Sequence, residues 1–210
     1  MVPSFYVFMR PPHITLTRLK KSITQDEVAW VAKAVAHARQ DVRDEAATFA
    51  YLNEKFECFE LLAPHLSTER LSHLQHLAGE YHDLEYFKVL MNLPLQPAPR
   101  QKMVVYAARE GFFEGFCWSM GAFKNEVNGN VILLQALKSG GEYVDAAYKV
   151  FPQCAETALQ KMSDSEDMQW FSTELLTRVR NGMDRLQALL TNDRLQNVID
   201  TTTHSRGRKL

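Results

Sequence analysis

Apolar residues recur with the spacing of an α-helix along almost the whole chain after residue 22, and this period constrains the fold more than any other feature. Only residues 13–17 (HITLT) alternate as a β-strand does, and the sequence offers no second strand to pair with them. We identify no internal repeat. The pattern therefore predicts an all-α fold, an antiparallel helical bundle of about five to seven helices.

Capping residues, glycines and prolines set the predicted helix boundaries. Thr24 and Glu27 have the spacing of a capping box, and no Gly or Pro follows until Pro64, so residues 24–63 are predicted as one bent helix or two. A further helix is predicted after Ser67 or Thr68, and the next over residues 100–125. Residues 139–141 (SGG) are predicted to stop a helix, Pro152 to kink or start the next, and residues 163–167 to cap a last helix ending at Thr191.

We expect a single all-α domain over residues 1–210. It is divided into an N-terminal arm (1–22), the helices that carry the candidate site (24–140), additional helices (141–192) and a flexible tail (193–210).

The composition excludes several classes of protein. The chain is 46% hydrophobic and 23% charged with a formal net charge of −1, so it is globular and has no overall attraction to nucleic acid or to an anionic membrane. Its cysteines, Cys58, Cys117 and Cys154, are odd in number and widely spaced, which predicts neither a disulfide framework nor a zinc motif and favours a reducing cytoplasm. No apolar run approaches the roughly 18 residues of a membrane-spanning helix.

Two pairs of acids interrupt predicted apolar helix faces. Glu54 and Glu57 fall in line with Ala50 and Leu61, and Glu80 and Asp83 interrupt a similar line on the following helix. Carboxylates in packed seams are costly unless a cation neutralises them, and oxygen ligands suit Mg²⁺ or Mn²⁺. The pattern favours one metal site built from two antiparallel helices. The natural substrate of such an ion is a phosphate chain. Acids three residues apart are also common on solvated faces, and that alternative stays open.

The spacing of these acids resembles that of the all-α NTP pyrophosphatases, which include MazG and the dimeric dUTPases. Glu54-Lys-Phe-Glu57, then residues 58–79, then Glu80-Tyr-His-Asp83 resemble the two acidic helices of that family and the segment between them, over roughly residues 41–95. The segment KNEVN (124–128) resembles the Lys-Asn-x-x-Asn segment of dimeric dUTPases.

The resemblance implies a four-helix core and a specific chemistry. A (deoxy)nucleoside triphosphate, with dUTP as one candidate, would be cleaved to the monophosphate and pyrophosphate. Mg²⁺, with Mn²⁺ as a substitute, would be held by the four acids, and Glu54 or Glu57 would activate water. Lys124 and Asn128 would contact the nucleotide, and family members are commonly dimers or higher, so a homodimer or homotetramer is expected.

The aromatic segment 109–123 offers Phe116 or Trp118 to stack on a nucleobase, although aromatic residues at helical spacing also form cores. Two other metal enzymes are compatible with the histidines. An HD-type phosphohydrolase would use His37, His82, Asp83 and Asp145, and a di-iron bundle would use His73 and His76. The non-enzymatic alternative is a helical interaction protein whose acids pair with Lys and Arg across an oligomer interface.

Overall fold

A computed structural model describes residues 14–94 and 97–206 of the chain, without the side chains of residues 97–99 and 197–206. The all-α prediction is confirmed. The described residues form more and shorter helices than the five to seven predicted: α1 (Leu16–Thr24), α2 (Val28–Val35), α3 (Gln40–Leu52), α4 (Phe56–Leu62), α5 (Thr68–Glu80), α6 (Leu84–Asn92), α7 (Pro97–Arg109), α8 (Phe113–Ala122), α9 (Gly129–Ser139), α10 (Gly141–Val150), α11 (Ala155–Ser163) and α12 (Thr173–Arg206). Three short 3₁₀ helices lie at Ala63–His65, Pro152–Cys154 and Glu166–Trp170.

The chain divides into two compact units between Gln75 and His76. The first unit contains α1 to α4 and the beginning of α5. The second unit contains the end of α5 and α6 to α12. The single domain expected from the sequence stays a prediction.

Helices occur in pairs, and the tight turns between the two helices of a pair are evenly spaced along the chain. At each of the first four turns one residue has a left-handed backbone, and these residues are 28, 28 and 29 positions apart: Asp26 (φ 55°), Glu54 (φ 56°), His82 (φ 57°) and Gly111 (φ 79°). The residue that follows donates its backbone N–H to the carbonyl five positions back, at 2.8 to 2.9 Å: Glu27 to Ser22, Lys55 to Ala50, Asp83 to Ala78 and Phe112 to Ala107. This is the bond of a Schellman motif, which ends one helix and sets the direction of the next.

Burial follows the same register. Four positions before each left-handed residue lies a small buried residue: Ser22, Ala50, Ala78 and Ala107. Five positions after it lies a fully buried branched or aromatic residue: Val31, Phe59, Phe87 and Phe116. The expectation that the sequence has no internal repeat is therefore wrong, because turn geometry and burial recur with the spacing of the turns although most residue identities do not.

Within each unit, helices of equal position in consecutive pairs pack on one another. In the first unit α3 packs on α1 and α4 packs on α2. In the second unit α9 packs on α7, α8 on α6 and α10 on α8, and α12 covers both α9 and α10. Each unit is therefore built from stacked helix pairs, the arrangement of helical-repeat proteins.

The fifth pair, α9 and α10, has a different turn. Gly140 has φ 141°, a conformation that L side chains rarely adopt, and it follows Gly111 at the same spacing as Gly111 follows His82. The buried residue of the second helix, Val144, comes four rather than five positions after it. The helix stop predicted at residues 139–141 is confirmed, as are the start at Pro152 and the N-cap at Ser67, whose Oγ accepts the N–H of Arg70 at 3.2 Å.

Other predicted boundaries are wrong. Thr24 ends α1 instead of capping a helix, and its hydroxyl donates to the carbonyl of Lys20. The helix predicted over residues 100–125 is two helices, because Gly111 turns the chain between α7 and α8. The last helix begins after Ser172 and continues to Arg206, so most of the tail predicted as flexible is helical. The predicted N-terminal arm contains most of α1, and its beginning, 1–13, lies outside the described residues.

One carboxylate joins two helix pairs inside the first unit. Asp44 of α3 accepts hydrogen bonds from the backbone N–H of Ser67 (2.9 Å), from its hydroxyl (2.6 Å) and from the amide of Gln40 (2.9 Å). Burial by itself raises the pKa of Asp44, but these hydrogen bonds and the charge of Arg70 outweigh it and hold the pKa below its ordinary value. The start of α5 is thereby fixed to the middle of α3.

Candidate functional site

The first predicted acid pair lies in a turn, and not on one helix face. Glu54 is the left-handed residue between α3 and α4, and Glu57 lies in the first turn of α4. Both are exposed. The packed stripe predicted through Ala50, Glu54, Glu57 and Leu61 is therefore wrong, because the chain changes direction at Glu54.

The second pair also straddles a turn. Glu80 is the exposed last residue of α5, and Asp83 is the half-buried N-cap of α6. Between them His82 has the left-handed backbone.

Acids recur where the second helix of a pair begins. The first turns of α4, α6, α8 and α10 each contain a glutamate: Glu57, Glu85, Glu114 and Glu142. A negative charge at this place interacts favourably with the positive end of the helix dipole. This accounts for Glu57 without a ligand.

Among the residues that the structure describes, no three His, Cys, Asp or Glu side chains are grouped so that they could hold a metal ion. Glu54 and Glu57 belong to the first unit, and Glu80 and Asp83 belong to the second. Binding of Mg²⁺ or Mn²⁺ by these four acids stays a prediction.

Replacing Glu54 by glycine should change stability in opposite directions depending on whether Glu54 lies in a turn or inside a helix. Glycine adopts a left-handed backbone without the steric cost of a Cβ atom, so Glu54→Gly is expected to raise the free energy of unfolding by about 0.5–1 kcal/mol. In a helix interior the same change would lower it by about 1 kcal/mol. Urea denaturation measures the difference. Glu57→Gly, inside α4, is the matched control and should destabilise; a loss of stability in both variants would contradict the turn.

The predicted nucleotide-binding residues lie around α8 and α9. Lys124 and Asn128 are exposed in the connection between these helices. Asn128 caps α9, because its side-chain oxygen accepts the N–H of Asn130 at 3.0 Å. That cap explains the asparagine structurally, and contact with a nucleotide stays a prediction.

The two candidate stacking residues differ in accessibility. Phe116 is fully buried, so it offers no face to a nucleobase. Trp118 is half-buried, and its ring lies 6.5 Å from that of Phe87 and 5.8 Å from that of Phe123, measured between centroids. Trp118 thus contributes to an aromatic cluster in the second unit.

Two of the four histidines considered for other metal enzymes, His76 and His82, make structural contacts. The His76 ring lies edge-on to Tyr106 at 4.4 Å, and the His82 ring stacks on Phe112 at 5.0 Å. Asp145, considered with them, accepts two hydrogen bonds of 2.8 Å from Arg185, and these bonds hold the pKa of Asp145 below its ordinary value. These contacts belong to the packing of the second unit.

Consecutive turns contact each other in both units, and the contacts occupy equivalent positions. In the first unit Lys55 Nζ lies 2.8 Å from the Asp26 carboxylate. In the second unit His82 stacks on Phe112, and its Nε2 lies 3.1 Å from the carbonyl oxygen of Glu110. The left-handed residue of one pair thus contacts the residue after the left-handed position of the next. The Phe112 ring also covers Gly115, where a Cβ atom would lie 2.3 Å from it.

In the second unit, the contact of His82 with Phe112 and the packing of α9 on α7 bring three consecutive turns to one edge, which we call the turn edge (residues 80–82, 109–111 and 138–140). The helical spacing of the sequence gives no indication of this edge. Tyr81 lies on it with 64% of its surface exposed, the same fraction as Leu52 at the corresponding end of α3. Tyrosine is one of the residues enriched where protein partners bind.

The structure is thus all-helical, with stacked helix pairs in each of the two units. Comparison with protein-family models, with curated proteins and with solved structures found no match to this chain. Within the part of the chain that the structure describes, no helix is both long enough and apolar enough to cross a membrane.

Proposed function

We propose that this chain is a non-catalytic binding module of the helical-repeat class, and that the turn edge of its second unit takes a segment of a partner protein. The observation that supports this most is the regular recurrence of helix pairs, marked by the evenly spaced left-handed turn residues. When each pair packs on its neighbours, exposed positions of equal register line up, and helical-repeat proteins use such surfaces for binding.

The residues of the turn edge support the same proposal. Tyr81 presents a large amphipathic side chain, and Arg109 and Lys138 lie at the next two turns, each two positions before the left-handed residue. Tyrosine and arginine are enriched where partners bind because they bury much surface and still form hydrogen bonds. The contacts of His82 with Glu110 and Phe112 fix the turns at His82 and Gly111 relative to each other in the absence of a partner.

Selection from a random peptide library displayed on phage tests this proposal. We expect enriched sequences whose affinity falls by about ten-fold in Tyr81→Ser, because an exposed aromatic anchor contributes on the order of 1–2 kcal/mol to binding. Leu195→Ser is the matched control, since Leu195 of α12 is a similarly exposed apolar residue at 58% and does not lie on the turn edge. Absence of enriched peptides, or equal losses in both variants, would contradict the proposal.

The alternative is the Mg²⁺-dependent nucleotide pyrophosphohydrolase, which the acid spacing supports. Its test is pyrophosphate release from a panel of NTPs and dNTPs with Mg²⁺ or Mn²⁺. Turnover that disappears in both Glu54→Gln and Asp83→Asn while the fold is retained would favour this enzyme. The binding proposal predicts no turnover. A cytoplasmic location and a homodimer or homotetramer stay predictions under either function.

A further inference from the structure

A cavity of about 400 Å³ opens beside the turn edge of the second unit. Its walls come from three places in the chain: the end of α7, the end of α9 and the beginning of α12. Each contributes one cation, Arg109, Lys138 and Arg178 respectively, and α9 adds Gln135 and Ser139. We call the cavity lined by this group the basic cavity.

The repeat itself brings two of these cations together. Arg109 lies two positions before Gly111, and Lys138 lies two positions before Gly140, so they occupy the same register in consecutive helix pairs. Because α9 packs on α7, equal register places them on the same side. The third cation, Arg178, comes from α12, which packs on α9 outside the paired arrangement.

The cations outnumber their acidic partners. Arg178 donates to Glu174 one helical turn away at 2.8 Å, and Arg109 Nε lies 4.0 Å from the Glu110 carboxylate. Lys138 has no ion pair among the described residues; its ammonium lies 5.3 Å from the centre of the Phe171 ring. Neither glutamate lines the cavity.

The volume and the polar groups of the cavity favour an anionic ligand that is larger than a single small ion. A volume of about 400 Å³ is in the range of ordinary ligand sites. The amide of Gln135 donates to the hydroxyl of Ser139 at 3.2 Å, so a second type of hydrogen-bonding group accompanies the cations. Guanidinium groups bind carboxylates in a two-bond geometry, and converging like charges are stabilised when an anion lies between them.

We infer that the basic cavity binds an acidic segment of a partner protein, whose carboxylates contact Arg109, Lys138 and Arg178. This inference rests on the proposed binding function and specifies the chemistry of the partner. Towards Tyr81 the turn edge contains the exposed acids Glu80 and Glu110, so the carboxylates of the segment are confined to the basic cavity.

Fluorescence anisotropy with a fluorescein-labelled hexaglutamate peptide tests the inference on the full chain. The double variant Arg109→Gln/Lys138→Gln is expected to bind at least about ten-fold more weakly, and each single variant about three-fold, because each removes one charge-assisted contact. Arg180→Gln is the matched control, since Arg180 is an exposed cation on α12 that does not line the cavity, and its affinity should stay within about two-fold of the unchanged chain. Circular dichroism checks that all variants remain helical.

Three outcomes would overturn the inference: no binding of the peptide, equal binding by the double variant, or binding of inorganic phosphate alone without the peptide. Failure here is distinguishable from failure of the proposed function. Library peptides that require Tyr81 but bind equally to the double variant would retain the binding function and remove the basic cavity from it. Hexaglutamate binding that depends on Arg109 and Lys138 would retain the cavity even if Tyr81→Ser had no effect.

Discussion

Phe116→Ala is expected to lower the free energy of unfolding by about 3–5 kcal/mol, the largest loss among the changes considered for this chain. Phe116 is fully buried at the position five residues after a turn, and its ring centroid lies 5.2 Å from that of Tyr143 on α10. Truncation removes apolar surface from the core and leaves a cavity between consecutive pairs that the fixed turn prevents from closing. Urea denaturation followed by circular dichroism measures the loss.

Phe113→Ala is the control for this prediction. Phe113 lies on the same helix and contacts the same tyrosine ring, at 5.1 Å, but it is only half-buried. Its truncation should therefore cost clearly less, about 1–2 kcal/mol. Equal losses in the two variants would show that the register does not distinguish a core position from a peripheral one.

Asp44→Asn is expected to lower the free energy of unfolding by about 1–2 kcal/mol at pH 7. The carboxylate of Asp44 accepts three hydrogen bonds, two of them from Ser67. An amide has one acceptor oxygen, so at least one donor of Ser67 loses its partner and the start of α5 loses part of its connection to α3. Asp41→Asn is the control, because Asp41 lies on the same helix in an exposed ion pair with Arg39 and should change stability by less than about 0.5 kcal/mol.

The contribution of Asp44 to the free energy of unfolding is also expected to decrease at low pH. Its folded pKa is lowered, so the stabilisation is fully present above the unfolded pKa, about 3.9, and is lost as the pH falls through the lower folded value. The difference in unfolding free energy between the unchanged chain and Asp44→Asn should therefore be constant near neutrality and shrink below about pH 4. A difference that stays the same down to about pH 3 would contradict the assigned hydrogen bonds.

The fold class was predictable from the sequence because apolar residues have helical spacing however the helices pack on one another. The number of helices was not, because glycine and proline were the main stop signals used. Three of the tight turns place Asp26, Glu54 and His82 in the left-handed backbone, where glycine is the usual residue. Aspartate and histidine adopt this conformation more often than most residues do, but the preference is too weak to predict a turn from the sequence.

The acid site was predicted from a helical phase that does not continue through the turns. Once the chain turns at Glu54 and again at His82, residues before and after each turn belong to different helices. A signal was nonetheless present in the sequence. A small residue lies four positions before the turn residue and a large apolar residue lies five positions after it, as in Ala50 to Phe59 and Ala78 to Phe87. The turn edge and the basic cavity depend on that register, so neither could be proposed before the repeat was recognised.

The tight turns are alike, whereas the connections between pairs differ. Residues 36–39, 63–67 and 123–128 join one pair to the next with different lengths and, in one case, a 3₁₀ helix. A duplication or deletion that starts and ends at equivalent turn residues would therefore add or remove the length of one pair, with a turn of the same geometry at the joint. Homologous chains are accordingly expected to differ in length by whole helix pairs, with small insertions confined to the connections and excluded from the turns.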